Sequence, residues 1–115
     1  MKKVVATNHA PQAIGPYSQG VIINGLLFTS GQIPLTKDGV LVEGGIEAQT
    51  EQVMKNLEAI LTEAGSSFDK VVKTTCFLDD MGDFAAFNEV YGKYFTGEKP
   101  ARSCVAVKTL PRNVL

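Results

Sequence analysis

The order of patterns along this 115-residue chain predicts an α+β domain, a mixed β-sheet with two helices packed on one face. Three observations predict it. Asn24-Gly25 sits between two apolar runs, the strongest short-range hairpin signal because both residues tolerate positive φ. Segments 47–64 and 84–95 carry apolar residues at three-to-four spacing, the period of a helix with one buried face. Each is followed by a run that reads as a strand. The resulting order, strand, hairpin, helix, strand, helix, strand, suits two helices of similar weight lying on one side of a sheet.

Taken in order, residues 3–6 (KVVA) read as a short strand, and 8–20 (NHAPQAIGPYSQG), with two prolines and two glycines, as an ordered loop. Val21 to Ser30 forms the hairpin, Gly31 breaks it, and Pro34 to Gly39 makes a second turn. Val53, Met54, Leu57, Ile60, Leu61 and Ala64 form the stripe of the first helix, with Gly65 as its C-terminal stop. Residues 70–78 (KVVKTTCFL) are β-branched and read as a strand. Asp83 is placed to cap the second helix, whose Phe84, Phe87, Tyr91, Tyr94 and Phe95 form an aromatic stripe. Residues 103–110 (SCVAVKTL) read as the last strand, and the whole chain, 1–115, as one domain. Helices on one face leave the other sheet face uncovered, and oligomerisation is the ordinary way to cover it.

Composition narrows the chemistry. Hydrophobic residues make up 44% and charged residues 20%, as in ordered globular domains. A net charge of −1 excludes nucleic-acid binding through bulk charge. No apolar run approaches the roughly 20 residues of a membrane span, and the first residues lack the apolar core of a secretory signal. Cys76 and Cys104 have no CxxC or paired-histidine company, so zinc is not expected; both read as reduced thiols on buried strands of a cytoplasmic protein. His9 is the only histidine and lies in a loop, which removes most nucleophile and metal chemistries.

What remains is a short roster. Arg102, at the mouth of the last strand, offers a rigid, always charged fork that matches a carboxylate; a surface arginine paired with a nearby acid is the plainer alternative. Tyr17 is aimed by the surrounding glycine and proline of GPYSQG, which is not a phosphate loop. Gly31, in TSGQIP beside Ser30, can expose backbone groups at a strand end. Asn88 adds a polar tip beside the aromatic stripe.

Together, NHAPQAIGPYSQG, FTSGQIPL, KTTCFLDDMGDFAAFNEVYGKYF and PARSCVAVKTLP resemble the Rid family of reactive intermediate deaminases, RidA type, over residues 6–115. The resemblance implies a chorismate-mutase-like fold, a homotrimer with clefts at subunit boundaries, and no metal or organic cofactor. It implies hydrolysis of enamines and imines such as 2-aminoacrylate to 2-oxo acids, pyruvate or 2-oxobutyrate, and ammonia: a 2-iminobutanoate/2-iminopropanoate deaminase. Carried over residue by residue, Arg102 binds the substrate carboxylate. The backbone at Cys104 and Gly31 positions the substrate nitrogen and the water, and Tyr17, Ser30 and Asn88 shape the pocket from the neighbouring chain. Family members continue past the Leu110-Pro111 turn into a final strand bearing a glutamate that helps hold the water; the sequence given stops at Leu115, so that strand and glutamate are missing from it. Two other classes stay open: a regulatory trimer that binds small molecules in the same cleft without turnover, and an RNA-acting translation inhibitor or endoribonuclease. Net charge and the lack of a basic, aromatic strand face disfavour the latter.

Overall fold

The computed structural model describes residues 1–115. Five strands and two helices follow in the order β1 (Lys3–Val5), β2 (Gly20–Ile23), β3 (Leu26–Thr29), α1 (Ile46–Glu63), β4 (Lys73–Leu78), α2 (Phe84–Tyr94) and β5 (Ala101–Ala106). Strands β1, β2 and β3 pair antiparallel in that order, and β4 and β5 pair parallel across the α2 crossover. The chain is thus an α+β domain, and none of its helices is long and apolar enough to cross a membrane.

The hairpin turns where the sequence places it. Asn24 and Gly25 take φ of 50° and 76°, the paired positive values of the tight turn whose twist matches the flanking strands. The second turn is also present, with Gly39 at φ 84° and Leu35 bridged to Leu41. Helix α1 ends on Gly65 at φ 79°. Its amide donates to the Thr62 carbonyl at 3.0 Å and the Ser66 amide to that of Leu61 at 2.8 Å, which satisfies two carbonyls left open at the helix end.

α1 is shared between two cores. Ile46 and Met54 join Leu78 and the α2 residues Phe87 and Tyr91, together with Phe95 just past the helix end. A turn or two further on, Ile60 packs with Val5 and Ala10, against Ile22 and Leu27 of the hairpin. Gly20 is needed here: a Cβ would come within 3.3 Å of both Ile60 and Leu27. Polar ties complete the packing. Asn56, 1% exposed, donates to the Ile33 and Leu35 carbonyls at 3.3 and 2.9 Å and accepts from Gln52. Gln49 accepts from the Leu115 amide at 2.8 Å while the Leu115 carbonyl accepts from Asp79, so the last residues dock between α1 and the end of β4.

Because strand side chains alternate, the helix-facing set (Ile22, Leu27, Cys76, Leu78, Cys104) leaves Val4, Val21, Leu26, Phe28, Phe77 and Val105 on the other side. Phe28 is 59% and Phe77 53% exposed. The accessible surface is 7258 Å², against about 6,100 Å² expected for a compact monomer of this mass.

Three local expectations need correction. β4 begins at Lys73 rather than 70, because residues 68–70 close a 3-10 turn. β5 runs from Ala101 to Ala106 rather than 103 to 110, so Arg102 lies inside the strand. Asp83 occupies the cap position of α2 but makes no side-chain cap bond; Asp80 instead accepts from the Gly82 amide at 2.8 Å and caps the preceding turn.

Candidate active site

Arg102 is held by groups that its position in β5 makes available. It pairs in register with Thr74 on the helix-facing side, opposite α2. On α2, residues 84, 88 and 91 follow at four and three, so Phe84, Asn88 and Tyr91 share one face. The guanidinium carbon sits 5.3 Å from the Phe84 ring centre and 5.0 Å from that of Tyr91, within cation–π range of both. Arg102 Nη1 donates to Asn88 Oδ1 at 2.7 Å. The Tyr91 hydroxyl shares a 2.7 Å hydrogen bond with Thr74 Oγ1, which pins the ring under the cation.

The partner of Arg102 is therefore a neutral amide and not an acid. One of its five donors is used and its charge is left for another group. The sides of this site stay uncharged. Burial pushes the Tyr91 phenol up, against the opposing pull of its Thr74 hydrogen bond and of Arg102. Burial likewise pushes the Cys76 thiol up, reinforced by Cys104. What results is one fixed cation with forked donors over two aromatic rings, an arrangement that takes a small planar anion such as a carboxylate.

A second group forms where the loop 15–20 meets the end of β3. The Ser30 amide donates to the Gln19 carbonyl at 2.9 Å and Ser30 Oγ to the Ser18 carbonyl at 2.5 Å. Gln19, 3% exposed, fixes the loop from beneath: it accepts from the Thr7 amide at 2.7 Å and donates to the Pro11 carbonyl at 2.7 Å. Above it Tyr17 is half exposed, its amide bonded to the Gly15 carbonyl at 2.9 Å. Gly31 is open, with nothing within 4 Å of where a Cβ would stand.

Arg102, Cys104 and Asn88 thus assemble on β5 and α2, while Tyr17, Ser30 and Gly31 assemble on the hairpin. No hydrogen bond joins the two groups within one chain. Asn88 accepts a hydrogen bond from Arg102 of its own chain. Sequence reasoning gave Phe84 and Tyr91 to the core alone. The available signal was their four-and-three spacing with Asn88, which puts two rings and an amide on one helix face. Gln19 and Asn56 were missed because no local pattern marks a buried amide that serves distant carbonyls.

Another hollow lies away from both groups. About 560 Å³ in volume, it is lined by Thr7, His9, Lys55, Glu58, Ala59, Thr62 and Glu63. It is open to solvent and lined by charged side chains of both signs beside threonines, so it offers no dry pocket in which a reaction gains from desolvation. No group of three or more His, Cys, Asp or Glu side chains is placed to hold a metal.

The fold and the Arg102 group define a class: a small α+β domain with an arginine on a strand edge that no acid in the chain pairs. Comparison with known proteins takes the second step. A family model described as Endoribonuclease L-PSP matches residues 7–115, and the chain belongs to that family, the Rid proteins. It is 60% identical over 114 residues to a candidate regulator of Lactococcus lactis, AldR, covering 98% of this chain and 90% of that one. The crystal structure of YyfA from Yersinia pestis, a protein of the Rid family, superposes with a TM-score of 0.96 at 50% identity, over 98% of this chain and 91% of that one. Escherichia coli TdcF, solved with bound serine, superposes at a TM-score of 0.92 and 40% identity, over 96% and 90% of the two chains.

Proposed function

We propose that this chain hydrolyses reactive enamine and imine intermediates, such as 2-aminoacrylate, to 2-oxo acids and ammonia, in a homotrimer whose sites lie between subunits. The observation that carries the reading is the Arg102 guanidinium, fixed by Asn88 and two rings and free of any acid. That group suits the carboxylate of a 2-imino acid. That TdcF, a relative of the same fold, was solved with bound serine, a small amino acid, supports the reading.

The chemistry asks little more of the protein. The enamine tautomerises to an imine, which is already electrophilic at carbon. Water adds to the C=N carbon and its proton passes to nitrogen. The resulting carbinolamine expels ammonia as the C–N bond breaks, leaving pyruvate or 2-oxobutyrate. No covalent nucleophile is needed. Orientation of the acid and stabilisation of developing charge are sufficient. On this reading Arg102 does both, the backbone at Cys104 and Gly31 directs the nitrogen and the water, and Tyr17 and Ser30 of a neighbouring chain close the cleft. The exposed apolar faces of the two sheets, around Phe28 on β3 and around Phe77 on β4, supply the surface on which three chains meet.

The test is ammonia and 2-oxo acid release from 2-aminoacrylate made in place by a serine dehydratase. A rate that rises in proportion to added protein supports the reading, and a rate equal to spontaneous hydrolysis overturns it. The name of AldR points to a second reading, a regulator that binds the same acids without turnover. Binding of pyruvate together with no acceleration would select it.

A further inference from the structure

Cys76 and Cys104 are direct register partners on the parallel strands β4 and β5. Both are free thiols, both are half-buried, and both pack against the same core on the helix-facing side. Adjacent strands lie about 4.8 Å apart, inside the Cα separation of about 4.4–6.8 Å that a disulfide spans. The same strand face carries Arg102 two residues before Cys104, so the pair lies beside the proposed substrate anchor.

We propose that Cys76 and Cys104 are a built-in dithiol that a hydroperoxide closes to an intramolecular disulfide. In the first step the Cys104 sulfur attacks the peroxide, the O–O bond breaks, the alcohol or water leaves, and Cys104 becomes a sulfenic acid. In the second the Cys76 sulfur attacks the Cys104 sulfur, the S–O bond breaks and water leaves. The peroxide gains two electrons, one from each sulfur in the net reaction. Disulfide carbons Cβ stand about 3.5–4.5 Å apart, closer than side chains on neighbouring strands, so closure draws β4 and β5 together at Cys104.

The effect on turnover rests on the deaminase reading, because it acts through the backbone of Cys104; the thiol chemistry does not. A shift of a fraction of an ångström is expected to lower the rate about tenfold, short of the roughly hundredfold that a 1 Å misplacement can cause.

The experiment uses the whole chain in its native assembly, treated with hydrogen peroxide, then alkylated and measured as intact mass and as non-reduced peptides. The wild type is expected to lose both thiols together, with loss of two hydrogens and a Cys76–Cys104 linked peptide, and to recover both with dithiothreitol. Cys76→Val and Cys76→Ser are expected to form no such link and to show no peroxide-dependent, dithiothreitol-reversible change in whatever rate each has before treatment. Added oxygen on either cysteine without linkage, links only between chains, or thiols unchanged in excess peroxide would each overturn the proposal. A linked protein as active as the reduced one overturns the coupling to the site. A linked peptide from a protein inactive in both states would instead count against the deaminase reading.

Discussion

Replacing Arg102 tests the site most directly, and the structure sets the size of the effect. In one chain Arg102 is exposed, and an exposed carboxylate pair is worth about 0.2–1 kcal/mol, or roughly 1.4- to 5-fold in rate at 1.36 kcal/mol per tenfold. If a neighbouring subunit covers the cleft, the pair is desolvated, and truncating one partner costs about 2–5 kcal/mol, or roughly 30- to several-thousand-fold. The trimeric reading therefore requires the larger loss in Arg102→Ala. Arg102→Lys is expected to fall between the two, because the charge survives while the fork that reaches both Asn88 and a carboxylate does not. The variant also loses its stacking on Phe84 and Tyr91, each worth about 0.5–1 kcal/mol at an exposed site. Thermal unfolding and light scattering must therefore show intact assembly before rates are compared. The assay is kcat/KM for enamine generated by a dehydratase. A value within about threefold of wild type in the assembled variant would show that Arg102 is a surface residue and that the substrate binds elsewhere.

Three further outcomes are expected. Cys104→Ser keeps the backbone and should retain kcat/KM within about threefold, whereas a covalent substrate adduct on Cys104 would make the thiol a nucleophile and contradict the water-attack route. Phe28→Asp puts a charge on the open apolar face and should lower the light-scattering mass toward one chain with the secondary structure kept; an unchanged mass would place the subunit contact on another surface. Asn56→Leu strands the carbonyls of Ile33 and Leu35 and should lower stability in urea by about 1–3 kcal/mol for each buried group left unpaired; no change would mean that water replaces the amide.

Much of the framework was legible because it is local. Asn24-Gly25 announces its turn through φ, and the stripe from Val53 to Ala64 announces its helix through spacing. Where the readings slipped, the deciding contact was distant. Ala101 and Arg102 are strand residues because β4 lies beside them, which no feature of PARSCV states. Asp83 lost its capping bond to Asp80, three residues earlier, because a 3-10 turn intervenes before α2. The site was half legible. Arg102 stood out by type and position, but its hold on Asn88 and two rings depends on how α2 crosses over β5, and that packing is written in the whole core. Gln19 and Asn56 were invisible for the same reason: each amide satisfies carbonyls set by the fold.

The place of Arg102 within β5 has a consequence separate from substrate. β5 borders the parallel pair, and in a single chain its outer edge is unpaired. Such an edge is a template on which another strand can add, and a guanidinium on it resists that addition because docking would strip its water. In a single chain the apolar side chains of Phe28 and Phe77 are bare as well. If the edge charge blocks strand addition, a chain deprived of Arg102 is expected to form more insoluble strand-paired aggregate than the wild type before it ever meets a substrate.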